Sequence, residues 1–124
     1  MRLEDKVAII TGSGSGIGRA TAQLFAEEGA KVVVAEINRE GANETVQTIQ
    51  SAGGEAVSVE ADVSKEEDSR KIADLAYCEY GKIDILVNNA AAFVFGRVED
   101  ATTEDWDHIL SVNVKGPAFC VKAV

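Results

Sequence analysis

The sequence predicts an α/β fold in which a doubly wound parallel sheet is covered by helices on both faces. Short runs of β-branched and other aliphatic residues alternate with longer amphipathic segments. The runs are continuously apolar, which is typical of strands buried on both sides. This alternation favours a βαβαβ chain with right-handed crossovers. The length of 124 residues predicts one domain over residues 1–124.

The apolar runs and the helical periodicity place the individual elements. Strands are expected at residues 6–10, 31–35, 56–59 and 83–87. Helices are expected at residues 17–25 and 42–49, from 64, and from 102 or 103, with a fifth near 118. Gly29 is placed to end the first helix. Ser64 and Glu67 have the spacing of a capping box for the third helix. The buried face of that helix would consist of Ile72, Leu75 and Ala76.

The composition excludes several classes of function. A formal net charge of −9 disfavours nucleic acid and anionic membranes as partners, and no apolar run is long enough to predict a membrane span. The charged start does not resemble a secretory signal, and Cys78 and Cys120 form no CxxC pair, so we expect a cytoplasmic protein with reduced thiols. The single histidine, His108, is expected on a helix surface, and no metal site is predicted.

A glycine-rich turn, Thr11-Gly12-Ser13-Gly14-Ser15-Gly16-Ile17-Gly18, joins the first strand to the first helix. Glycine permits a tight turn, the approach of the backbone to a pyrophosphate, and close packing of helix on strand. The N-terminus of the following helix offers free N–H groups and the positive end of its dipole to phosphates. In this position between strand and helix, the turn predicts a dinucleotide-binding site.

Glu36 ends the second strand, 18 positions after Gly18. A carboxylate there can accept hydrogen bonds from both hydroxyls of an adenosine ribose, and it repels a 2′-phosphate. Ile37 and Ser15 are uncharged. Arg39 could reach a 2′-phosphate if the loop bends, but a solvent-facing position at a helix start is favoured. We therefore predict NAD as the cofactor in preference to NADP.

Four motifs in this order resemble the short-chain dehydrogenase/reductase family. The glycine turn fits the family pattern T-G-x-x-x-G-x-G, and Asp62-Val63 after the third strand is similar to its adenine contact. Asn88-Asn89-Ala90 resembles its N-N-A-G element. Residues 111–116 resemble the segment that carries the asparagine of its catalytic tetrad, here Asn113.

The resemblance covers the whole chain and implies a Rossmann fold, NAD, an alcohol or ketone substrate, and reversible hydride transfer. Family members are commonly dimers or tetramers, so a homo-oligomer is an inherited expectation. Asn113 is implied as the catalytic residue. The implied cofactor contacts are Thr11, Gly12, Ser13, Ser15, Gly16, Ile17, Gly18, Glu36, Ile37, Asp62, Val63, Asn89, Ala90, Ala91 and Val112.

The chain departs from the family pattern in two places. Ala91 replaces the glycine of N-N-A-G, so its backbone has to avoid positive φ or accept strain. The family chemistry requires a serine and Tyr-x-x-x-Lys, but neither Tyr77 nor Tyr80 is followed by lysine four positions later. Of the tetrad only Asn113 is present, and we expect no turnover from these 124 residues alone.

The sequence stops at Val124, within a helix and before a fifth strand, which predicts a Rossmann domain truncated after about four strands. Residues 83–87 would then form an exposed apolar edge, and we expect self-association or marginal stability. Three functions stay open: the cofactor-binding half of a dehydrogenase, an NAD-binding module without catalysis, and a non-functional remnant. The stretch 93–95 either lines the mouth of an apolar substrate site or packs under the fourth helix with Trp106.

Overall fold

The computed structural model describes all residues from Met1 to Val124. The strands are β1 (Val7–Thr11), β2 (Lys31–Glu36), β3 (Glu55–Glu60) and β4 (Ile85–Val87). The α-helices are α1 (Gly16–Glu27), α2 (Arg39–Ser51), α3 (Glu66–Tyr80), α4 (Thr103–Leu110) and α5 (Gly116–Ala123). A 3₁₀ turn, Val98–Asp100, precedes α4, and a π-helical turn, Ser111–Lys115, joins α4 to α5.

The four strands form one parallel sheet in the order β3-β2-β1-β4, and both faces of the sheet are covered. On one face Ile10 packs with Ala22 of α1 and Ile49 of α2. On the other face Ile9 packs with Ile72 of α3. Burial of each such aliphatic side chain contributes about 1.5–3 kcal/mol, which explains why the runs are continuously apolar. The predicted α/β fold is confirmed.

β4 lies at one edge of the sheet and is shorter than predicted, spanning Ile85–Val87 rather than 83–87. The carboxylate of Asp84 accepts a hydrogen bond from Val7 N–H over 2.8 Å, which takes the donor that a longer ladder would use. All three residues of β4 are half-buried. The apolar edge strand that the sequence predicts is therefore present, beside β1.

The start of α3 differs from the predicted capping box. Lys65 occupies the N-cap, and its side chain makes no cap bond. Ser64 donates its hydroxyl to Asp62 Oδ1 over 2.7 Å, and Ser64 N–H donates to the same oxygen over 3.0 Å. The prediction is wrong because the hydroxyl and the N–H of Ser64 both bond to the Asp62 carboxylate and not to the first turn of α3. Of the predicted face of α3, Ile72 and Ala76 are buried and Leu75 is half-buried, and Ser69 and Ala73 are buried as well.

α4 begins where the sequence predicts, with a capping box between Thr102 and Asp105. α4, the π-helical turn and α5 then continue without a break, because the backbone is right-handed helical at both junctions. Trp106 and Leu110 are each 48% exposed, so the apolar face of α4 is only partly covered by the chain. None of the helices combines the length and apolar character that crossing a membrane requires.

Candidate functional site

An open cleft of about 590 Å³ lies at the carboxyl ends of the strands, beside the N-terminus of α1. β1 pairs with β2 on one side and β4 on the other, and ligands of open parallel sheets bind where the strand order reverses in this way. Most residues with a predicted cofactor contact line this cleft. They are Gly12, Ser15, Gly16, Ile17, Gly18, Glu36, Ile37, Asp62, Val63, Asn89, Ala90, Ala91 and Val112.

The glycines of the turn occupy positions that other residues would strain or fill. Gly12 and Gly16 have φ values of +65° and +54°, which residues with a Cβ rarely adopt. A Cβ on Gly18 would lie 2.5 Å from Asn89 Nδ2 and closer still to the carbonyl oxygen of Gly12. The first turn of α1 lines the cleft with Gly16, Ile17 and Gly18. The N–H groups at the start of a helix have no intrahelical acceptor, so they are free to bind a ligand.

Thr11 and Asn89 join the ends of β1 and β4 under the cleft. Thr11 Oγ1 accepts hydrogen bonds from the N–H groups of Asn89 and Ala90, both over 3.0 Å. Asn89 Nδ2 donates to the carbonyl oxygens of Thr11 and Gly12, both over 3.1 Å. Thr11 is buried and does not itself line the cleft, so its side chain supports the site from below.

The structure places the two serines of the turn differently. Ser15 is exposed in the cleft, at the N-cap of α1. Ser13 is fully buried, and its hydroxyl donates to the Ile10 carbonyl over 2.6 Å. The Ser13 side chain therefore does not line the cleft, and the contact of Ser13 with a cofactor stays a prediction. Both positions are variable in the motif, so the pattern alone did not reveal which serine faces inward.

Glu36 is held at the end of β2 by two backbone donors. Its Oε1 accepts from Gly14 N–H over 3.0 Å, and its Oε2 accepts from Asn38 N–H over 2.9 Å. A Cβ on Gly14 would lie 2.8 Å from Glu36 Cδ, so glycine is required beside the carboxylate. Ile37 is 63% exposed in the cleft, and Arg39 is exposed at the start of α2. No lysine or arginine lines the cleft.

Asp62 and Val63 form the wall that follows β3. Asp62 N–H donates to Asp68 Oδ2 over 2.8 Å, which ties the segment to the first turn of α3. Val63 is buried against the start of α5, where a Cβ on Gly116 would lie 2.8 Å from Val63 Cγ2. Both residues are therefore held by helices on the same face of the sheet.

Asn113 lies in the π-helical turn, and its side chain pairs with the backbone of Ala92. Oδ1 accepts from Ala92 N–H over 2.8 Å, and Nδ2 donates to the Ala92 carbonyl over 2.9 Å. Ala91, Ala92 and Val112 line the cleft, but Asn113 does not. Asp5 is the one non-glycine residue with positive φ. Ala91 therefore avoids positive φ, which is the first of the two alternatives that the sequence left open.

His108 and Phe93 line the cleft although sequence reasoning did not assign them to the cofactor. His108 is exposed, as expected, but on the helix face that borders the cleft. His108 lies four residues before Val112, and residues at this spacing share a helix face. Because Val112 has a predicted cofactor contact, this spacing could have indicated that His108 faces the cleft.

The two aromatic rings of residues 93–95 line different pockets, so each of the two interpretations applies to one ring. Phe93 and Phe95 stack with centroids 6.2 Å apart, and they are 73% and 93% exposed. Phe93 lines the large cleft, whereas Phe95 lines a second pocket of about 180 Å³ together with Trp106 of α4. The segment thus borders both the cleft and α4.

Residues 6–124 match the profile of a family described as short chain dehydrogenase. The chain belongs to the short-chain dehydrogenase family. An uncharacterized oxidoreductase of Thermotoga maritima is 46% identical over 122 residues, which are 98% of this chain and 48% of that protein. A probable tetrahydroxynaphthalene reductase of Zymoseptoria tritici is 42% identical over 122 residues, or 98% of this chain and 46% of that protein.

The solved structures agree with this assignment. A short-chain dehydrogenase/reductase from Burkholderia phymatum, crystallised in complex with NAD, superposes with a TM-score of 0.95 at 37% identity. The match covers 99% of this chain and 44% of that chain. This short-chain dehydrogenase chain thus spans about half the length of the curated relatives named above. The family resemblance drawn from the four motifs is confirmed.

Proposed function

We propose that this short-chain dehydrogenase chain binds NAD as the cofactor-binding part of an oxidoreductase. The reaction is reversible hydride transfer between an alcohol or ketone carbon and the nicotinamide, which supplies or accepts the hydride. The observation that carries the proposal is the cleft in which the glycine turn, the start of α1 and the Glu36 carboxylate meet.

The groups around the cleft fit a dinucleotide. A Cβ on Gly16 would meet nothing within 4 Å, so its backbone is open to a pyrophosphate at the start of α1. Each oxygen of the Glu36 carboxylate accepts one backbone hydrogen bond and keeps further acceptor capacity for ribose hydroxyls. Asp62 and Val63 would hold the adenine, as the family resemblance implies.

The preference for NAD over NADP follows from the charges at the ribose end of the cleft. The Glu36 carboxylate is already held by two N–H groups, so little conformational entropy is lost when it binds the ribose. A 2′-phosphate would meet that carboxylate without a lysine or arginine in the cleft lining to compensate. We therefore expect NADH to bind at least about 10-fold more tightly than NADPH.

We propose that these 124 residues bind the cofactor without turnover. Asn113 is the tetrad residue that the resemblance assigns to this chain, and its side chain fixes Ala92 at the cleft wall. Tyr77 and Tyr80 lie in α3, and burial raises the pKa of Tyr80 to about 12. A general acid or base requires a pKa near the working pH, so Tyr80 is unsuited to proton transfer.

A second candidate is an NAD-binding module without catalysis, since most residues with a predicted cofactor contact line the cleft whereas the Asn113 side chain is bound to Ala92. The mass of the protein expressed from its own gene separates the two. A mass near 13.1 kDa supports the binding module, and a mass near twice that supports the dehydrogenase. In the second case we expect the protein to reduce ketones with NADH, which a panel of ketones tests. We also expect the whole protein to be a cytoplasmic homo-oligomer whose interface covers the exposed Trp106 and Leu110.

Titration with NADH and NADPH, followed by nucleotide fluorescence, tests the cofactor site. We expect Glu36→Ala to weaken NADH binding and to narrow the gap between the two dissociation constants. Glu55→Ala, at the opposite end of the sheet, is the matched control and should change neither constant. Equal constants in the wild type would contradict the preference for NAD. Failure to bind either nucleotide, or unchanged NADH binding by Glu36→Ala, would contradict the proposed site.

A further inference from the structure

The peptide group between Ser13 and Gly14 is held from both sides. Its N–H, on Gly14, donates to Glu36 Oε1 over 3.0 Å. Its carbonyl oxygen, on Ser13, accepts from the hydroxyl of Thr45 over 2.8 Å. Thr45 belongs to α2 and is fully buried. Helix α2 and the end of β2 therefore fix the orientation of one peptide plane at the cleft.

Arg19 connects this peptide to the next one. It lies in α1, and its Nε donates to Thr45 Oγ1 over 3.0 Å. Its Nη2 donates to the carbonyl oxygen of Gly14. A planar guanidinium can make these two bonds at once, whereas the point charge of a lysine cannot reproduce the fork.

The approach of α2 to the turn depends on glycine. A Cβ on Gly41 would lie 2.8 Å from the Gly14 carbonyl oxygen that Arg19 binds. The Arg19–Glu44 ion pair, at 3.1 Å, has a glutamate that is 57% exposed, so it contributes little. The ordering effect of Arg19 thus comes from its bonds to Thr45 and Gly14.

We propose that Arg19 is a positioning residue that sets the preference for NAD over NADP by holding the peptide to which Glu36 binds. This rests on the proposed function. Arg19 does not line the cleft, so it acts on the nucleotide through the turn and Glu36. Release of the Gly14 carbonyl and of Thr45 would let the peptide rotate, and the carboxylate would lose its fixed orientation.

The test compares Arg19→Gln and Arg19→Lys with the wild type by measuring dissociation constants for NADH and NADPH. We expect the ratio of the NADPH constant to the NADH constant to fall at least about 3-fold in both variants, mainly through weaker NADH binding. Arg70→Gln, on the exposed face of α3, is the matched control and should leave the ratio unchanged. In a Glu36→Ala background, Arg19→Gln should no longer alter the ratio.

A merely structural role predicts a different result, because lower stability reduces both affinities in proportion. An unchanged ratio in a folded Arg19 variant would overturn the positioning role alone. If Arg19→Gln fails to fold by circular dichroism, Arg19→Lys decides. Loss of folding in both variants would also overturn it, since Arg19 would then serve the fold. Failure of the wild type to bind either nucleotide would overturn the proposed function as well.

Discussion

The Asn113 side chain and the Ala92 backbone share two hydrogen bonds, of 2.8 and 2.9 Å, that join the π-helical turn to the segment after β4. The amide donates to the Ala92 carbonyl and accepts from its N–H, as a neighbouring strand would. Ala92 lies at the wall of the cleft, so this pair fixes the backbone where the cofactor is proposed to bind.

We expect Asn113→Asp to destabilise the fold by about 1–3 kcal/mol. A carboxylate still accepts from Ala92 N–H, but it cannot donate to the Ala92 carbonyl, which is left without its partner. Urea unfolding followed by circular dichroism measures the change. Asn88→Asp, at an exposed position, is the control and should stay within about 0.5 kcal/mol. Equal stability of Asn113→Asp and wild type would show that the pair is dispensable.

We expect Thr11→Val to lower the free energy of unfolding by about 1–3 kcal/mol, although valine has nearly the same shape as threonine. The hydroxyl accepts hydrogen bonds from the N–H groups of Asn89 and Ala90. Valine removes this acceptor, which leaves Ala90 N–H without a partner, whereas Asn89 N–H keeps the Val87 carbonyl over 3.1 Å. Guanidinium unfolding gives the magnitude. Thr48→Val removes a hydroxyl at an exposed position of α2 and should change stability by less than about 0.5 kcal/mol. Similar losses in the two variants would count against the role of Thr11.

Gly18→Ala should abolish NADH binding and lower stability by about 2 kcal/mol or more. Its Cβ would overlap the Gly12 carbonyl and lie 2.5 Å from Asn89 Nδ2, so the turn and β4 have to move apart. Fluorescence titration and thermal unfolding are the measurements. Gly53→Ala is the control, because its Cβ would meet nothing within 4 Å. It should lower stability only through the strain of φ +90°, by about 1 kcal/mol, and should retain NADH binding. NADH binding by Gly18→Ala at wild-type affinity would contradict the close packing.

Asp84 should make the stability of the fold fall in acid. The hydrogen bond from Val7 N–H, together with the ammonium of Lys82, holds the pKa of Asp84 below its ordinary 3.8. Because the pKa is depressed in the folded state, the stabilisation is present above pH 3.8 and is lost as the pH falls through the folded value. We expect the unfolding free energy of Asp84→Asn to fall less between about pH 5 and 3 than that of the wild type.

Lys82→Gln is the matched control for Asp84. The hydrogen bond from Val7 N–H is the larger cause of the depressed pKa, so Lys82→Gln should keep most of the acid dependence. Urea titrations at several pH values give the unfolding free energy of each variant, and its fall in acid is then compared among the two variants and the wild type. Identical acid profiles for Asp84→Asn and wild type would show that other carboxylates carry the dependence.

The fold and most of the cleft lining could be predicted from the sequence because the signals are local. Continuous apolar runs indicate strands buried on both faces, and they do so without reference to any distant residue. The glycine turn and Glu36 follow from the strand–turn–helix order, which places the carboxyl ends of parallel strands together. The local pattern was misleading at Ser64, whose hydroxyl donates to the Asp62 carboxylate and does not cap the first turn of α3.

The sequence by itself therefore determined the doubly wound sheet, the family and most of the residues that line the cleft. Only the tertiary structure decided that Ser13 faces inward, that Asn113 binds Ala92, and that Arg19 binds Thr45. The last two contacts join residues 21 and 26 positions apart, which no local pattern specifies. A polar side chain bonds to whichever partner the packed helices and strands bring within about 3 Å, and that distance exists only once the elements have packed.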